Sequence, residues 1–129
     1  MIGNISLPNS IGSGSSGIQS IQIIANYTRT DWLDSTLYFS NIAVNKNDII
    51  YAMSCGLFFA NVNYYDGCIT CSNSIRIANK AGYYTSGKYF AWMSCFQIND
   101  DGTTNIVVNT GASSVSQERM VQVVRFYIS

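Results

Sequence analysis

Lys88–Val108 reads KYFAWMSCFQINDDGTTNIVV, and two of its features decide the fold class. An apolar run ends on Asn99-Asp100-Asp101-Gly102, and a second apolar run leaves that tetrad. Strand, Asp-Gly turn, strand is the pattern of a β-hairpin, because glycine takes the positive φ that other residues resist. The first run is also apolar at both parities, with Phe90, Trp92, Phe96 and Ile98 on one face and Ala91, Met93 and Cys95 on the other. A strand with one wet face alternates apolar with polar residues. This run is therefore expected to be covered on both faces, by its own chain or by a neighbouring subunit.

The double pattern recurs in Ile49–Ala60, where Ile49, Tyr51, Met53, Cys55, Leu57 and Phe59 oppose Ile50, Ala52 and Phe58. Gly56 within it predicts a bulge or a close backbone approach. Ser20–Thr28, Thr36–Phe39, Cys68–Ser72, Ser74–Ala78 and Arg119–Ile128 supply further strands, the first with Ile21, Ile23, Ala25 and Tyr27 on one face. Ser114 followed by Gln117 offers a capping box, so a helix competes over Ser114–Val124, but Val121, Val123 and Val124 favour strand. Asn79–Gly87 reads as an exposed loop. Tyr51-Ala52-Met53-Ser54-Cys55 resembles Phe90–Cys95, which suggests two similar hairpins, one in each sheet of a sandwich. The expected fold is all-β, a β-sandwich or jelly roll of about seven or eight antiparallel strands, with Ile49–Ala60 and Lys88–Ile98 central. The expected division is a flexible Gly/Ser-rich N-terminal arm at residues 1–18 and the β-sandwich domain at residues 19–129.

In a chain of 129 residues, only 11% are charged against 47% hydrophobic, well under the usual quarter of charged residues. Asn, Ser, Thr, Tyr and Gly must then meet the solvent, a surface suited to protein or sugar and poor for polyanions. Seven Lys and Arg balance seven Asp and Glu without a basic cluster, so nucleic-acid binding through phosphate neutralisation is not expected. Near-zero net charge removes long-range self-repulsion and favours association. No apolar run is long enough for a membrane-spanning helix, so no membrane insertion is expected. The start, MIGNISLPNSIGSGSSGI, lacks the basic and apolar segments of a secretion signal, so synthesis in the cytoplasm is expected.

With no histidine in the chain, Ser-His-Asp, Cys-His and His-metal chemistry are excluded. Cys68 and Cys71 have C-x-x-C spacing, but Cys55 and Cys95 form no second such pair, and no metal or other cofactor is expected. Buried free thiols acting as small apolar residues account for the cysteines better. Of the close carboxylate pairs, Asp100 with Asp101 suits a turn whose side chains bond local amides. Asp31 with Asp34 is the pair on which a small hydrolase would have to rely. No enzyme is expected.

The aromatic residues beside polar turns are the remaining signal. Trp32, Tyr64, Tyr65, Tyr83 and Tyr84 present faces that stack on sugar rings, with Asn, Asp and Ser nearby to bond hydroxyls. Tyrosines of this kind also serve protein interfaces, and packing on a sheet edge is their ordinary structural use.

In composition the chain resembles small β-rich structural proteins of tailed bacteriophages: head decoration proteins, head fibres and tail-fibre tips. The matching features are the Gly/Ser stretch Ile11–Gly17, the Asn/Ser/Tyr-rich loops, the scarcity of charge and the C-terminal strand. The resemblance implies a non-enzymatic protein of the virion surface, made in the host cytoplasm, that decorates or stabilises a larger assembly. It implies a homotrimer attached to other virion proteins through its N-terminal arm. The alternative is a receptor-binding tip that holds a host-surface glycan with the five aromatic residues named above.

Overall fold

The computed structural model of the chain describes residues 3–6, 17–29, 36–57, 69–84, 89–109 and 119–128. These residues form β1 (Gly3–Ser6), β2 (Ile18–Arg29), β3 (Thr36–Val44), β4 (Ile49–Leu57), β5 (Ile69–Cys71), β6 (Ser74–Tyr84), β7 (Tyr89–Ile98), β8 (Gly102–Asn109) and β9 (Arg119–Ile128). A six-stranded sheet has the order β1-β2-β9-β4-β7-β6, a three-stranded sheet has the order β3-β8-β5, and every pairing is antiparallel. The orders β2-β9-β4-β7 and β3-β8-β5 are those of a jelly roll, in which the chain repeatedly crosses from one sheet to the other. β4 and β7 are interior strands of the larger sheet, but the second sheet covers only one of their two apolar faces, so the expected cover on both is not supplied by the described residues.

The core lies between the sheets. Ile50, Ala52, Trp92, Phe96, Ile98, Val121 and Val123 enter it from the larger sheet, and Val44, Ile69, Ile106 and Val108 from the smaller. Strand alternation explains the selection: even-numbered residues of β4 and β7 point inward, and odd-numbered residues point away from the second sheet. Trp92 is 1% exposed, so the largest side chain of the opening stretch sits in the middle of the sandwich.

Several expectations are corrected. Lys88–Val108 is not a hairpin, because β7 and β8 belong to different sheets. Both edges of β7 are taken by β4 and β6, so the turn carries the chain across to pair with β3 and β5 instead. The turn keeps its glycine, with Gly102 at φ 143°, but the amide from which Asp101 Oδ1 accepts is not local: it belongs to Lys46, 55 residues away, at 2.7 Å. Gly56 is not a bulge, being paired in register with Phe90 and Arg119. The register shifts fall instead between Ile18 and Ser20, Ile23 and Ala25, Phe39 and Ile42, and Arg76 and Ala78. The shift after Ile23 divides the predicted face of β2: Ala25 and Tyr27 oppose the inward Val123 and Val121, whereas Ile21 and Ile23 oppose Phe126 and Val124 on the outer face.

Thr36–Phe39 continues to Val44, with Asn41 at φ 56° in the irregular stretch. Asn79–Tyr84 is strand rather than loop, because pairing with β7 extends the ladder to Tyr84. The two similar segments lie side by side in one sheet, not in two. Met53 pairs with Met93, and the flanking pairs Ser54–Trp92 and Ala52–Ser94 run antiparallel about them. Within the predicted arm, Gly3–Ser6 pairs with β2, and β2 itself already begins at Ile18.

Candidate functional site

The outer face of the six-stranded sheet carries the unusual chemistry. Residues opposite one another across a sheet share a face, so the registers order this face into rows. One row runs Ala78, Cys95, Tyr51, Val124, Ile23 from β6 to β2. The next runs Lys80, Met93, Met53, Gln122, Asn26, and a third runs Gly82, Ala91, Cys55, Met120, Thr28. Ile49, Phe126 and Ile21 continue the apolar surface beyond the first row. The centre is therefore methionine, tyrosine, cysteine and valine with one amide, Gln122, and Lys80 is the one charge among the described residues of these rows.

Nothing from the second sheet covers this face. Met93 remains 41% exposed and Met120 36%, while Tyr51, Met53, Cys55 and Val124 are half-buried. A hollow of about 260 Å³ opens where β6, β7 and β4 meet, bordered by Tyr51, Ala78, Lys80, Met93 and Cys95. Just beneath, the Ser94 hydroxyl donates to Asn79 Oδ1 at 2.5 Å, which ties β7 to β6 under the hollow. Burial pushes the Cys95 thiol above its ordinary pKa. Burial also raises the Tyr51 phenol, with further contributions from the Cys55 and Cys95 thiols.

The second cluster is structural. Asp48, wholly buried between β3 and β4, takes both Nε and Nη2 of Arg125 on one carboxylate oxygen at 2.7 Å. Arg125 Nη1 reaches the Ala43 carbonyl at 2.6 Å and Gln22 Oε1 at 3.3 Å, and Tyr127 stacks under the guanidinium at 3.7 Å. The Asn45 and Ile128 amides complete the carboxylate's partners at 2.8 and 3.2 Å. Every guanidinium nitrogen is engaged within the fold, so the arrangement fastens β9 to the β3–β4 corner.

Of the residues singled out from the sequence, Trp32, Tyr64 and Tyr65 lie outside the described residues, as do Asp31, Asp34 and Cys68. Tyr83 and Tyr84 end β6, paired in backbone with Phe90 and Tyr89, and their side chains lie outside the described residues. Cys55, Cys71 and Cys95 are in no disulfide, and among the described residues no three potential metal ligands come together. Cys71 Sγ lies 3.1 Å from Thr104 Oγ1, which in turn donates to the Ser72 carbonyl at 2.6 Å. The sequence reading placed candidate ligand-binding residues in the loop aromatics and expected the second apolar face of β4 and β7 to be covered, without joining that face to β9 and β2. Its signal was present in the odd-numbered apolar residues of β4 and β7, but only the registers join them to Val124 and Ile23 as one surface. No family model matches the chain, and comparison with curated proteins and with solved structures gives no match either.

Proposed function

We propose that this chain is a non-enzymatic structural subunit that oligomerises and decorates or stabilises a larger assembly. The virion surface of a bacteriophage is the setting that the compositional resemblance implies. The observation that carries the reading is the outer face of the six-stranded sheet, apolar at its centre and almost without charge. Protein interfaces are distinguished by this composition, with Met and aromatic residues enriched and charges excluded from the middle. Jelly rolls also build viral capsid and lectin domains, which supports the reading by analogy of fold alone.

The test is fractionation of producing cells on a density gradient. The chain is expected to sediment with large particles, and deletion of residues 1–18 is expected to release it. Exclusive recovery in the soluble fraction would refute the subunit reading. Selective binding to one sugar on a glycan array, lost in Tyr83→Ala or Tyr84→Ala, would replace it with the receptor-tip alternative.

A further inference from the structure

We infer that the outer face of the six-stranded sheet is the contact between two copies of this chain, stacked face to face about a two-fold axis. This rests on the subunit reading and names the first step of its assembly. Size is the first argument. Six strands about 4.8 Å apart, from four residues in β1 to twelve in β2 and about nine on average, make a face of roughly 850 Å² at about 3.3 Å per residue. A stable interface needs about 800 Å² from each partner, so one copy of the face is enough for one copy of its mate.

Composition is the second argument. The chain has four methionines, and three of them, Met53, Met93 and Met120, stand on this face. Methionine is unbranched and adaptable, which suits a surface that must interdigitate with itself. The polar residues are few: Lys80 on β6 at one side, Gln97 at one end, and Gln122 on β9 in the middle row, its amide bonded to Asn26 at 3.3 Å. That is a largely apolar, uncharged centre whose one amide is already bonded within the face, with the charge at its edge.

The third argument is shape and charge. In a two-fold contact each copy supplies both the projection and the recess. Met93, exposed, stands beside the hollow bordered by Tyr51, Ala78 and Cys95, so one face holds both parts. Water gains little there, because the space of about 260 Å³ offers few polar partners. A strongly acidic or basic partner finds no complementary charge, whereas a second copy with zero net charge meets no repulsion. A sheet face stacks on one mate at about 10 Å, so it builds a pair rather than the three-fold unit of the resembled proteins.

Sedimentation equilibrium of the full chain over about 1–100 μM tests the pairing. The expected result is a dimer whose dissociation constant rises by at least about 30-fold in Met93→Lys and in Met53→Lys. Tyr38→Lys, at a 72% exposed position on the other sheet, is expected to dimerise as the parent chain does. A monomeric parent chain, or variants that dimerise unchanged, would overturn the inference. Should a lysine variant unfold, maleimide labelling of the parent chain replaces it. Cys55 and Cys95 are expected to be protected at high concentration and exposed on dilution, with Cys71 unchanged, and equal labelling at both concentrations refutes the pairing. A monomer that still sediments with large particles would overturn the pairing and leave the subunit reading standing. A face-to-face dimer found only in the soluble fraction would do the reverse.

Discussion

Arg125 and Asp48, 77 residues apart, form a buried ion pair with two contacts of 2.7 Å. The side chains are 5% and 0% exposed. The pair joins the last strand to the corner between β3 and β4, and the Ala43 carbonyl and Gln22 share the guanidinium.

Breaking this pair from one side leaves a charge in the core. Arg125→Met is expected to cost about 3–5 kcal/mol in urea unfolding, because Asp48 keeps its desolvation and loses its counter-charge. A loss under about 1 kcal/mol would show that water or a neighbour replaces the guanidinium at little cost.

Trp92 fills the space between the sheets, opposite Ser54 on β4. Trp92→Ala is expected to cost about 3–5 kcal/mol through lost transfer energy and the cavity left behind. Denaturant unfolding reads this directly, and near-neutral stability would remove Trp92 from the core.

Asn73 turns the chain between β5 and β6 at φ 54°, with its side-chain amide donating to the Asp100 carbonyl at 2.8 Å. A left-handed backbone suits Gly or Asn and penalises branched side chains. Asn73→Val is therefore expected to lose about 1–2 kcal/mol from the backbone, with more from the missing bond. Asn73→Gly should lose only the bond, and equal losses in the two variants would contradict the conformational part.

Cys95 and Tyr51 face each other on the outer surface of β7 and β4, and burial raises both pKa values in the folded chain. Folding therefore retains their protons, so stability is fully present below the unfolded values and declines as pH rises through the folded ones. The decline should begin above about pH 8.5, the thiol's unperturbed value, and be shallower in Cys95→Ala. Thermal unfolding from pH 6 to 10 checks it, and a parent and variant with the same alkaline slope would exclude Cys95 as the cause.

The apolar residues at both parities of Ile49–Leu57 and Tyr89–Ile98 are a local feature, so the sequence by itself determined that these are strands placed inside a sheet and apolar on two faces. It likewise determined the turn at Asp101-Gly102, since φ preference belongs to single residues. It misjudged Asn79–Tyr84, where glycine and paired tyrosines look like a loop until β7 supplies a ladder. Only the tertiary structure decided that β7 and β8 part into different sheets, because the edges of β7 are claimed by strands distant in sequence. It also decided that Arg125 is a core residue, since nothing near position 125 announces Asp48. The same holds for the candidate site: Met53, Met93 and Val124 are ordinary apolar residues in their own strands. They become one uncharged surface through hydrogen-bonded registers between segments about 40–70 residues apart, a long-range pairing that no local propensity encodes.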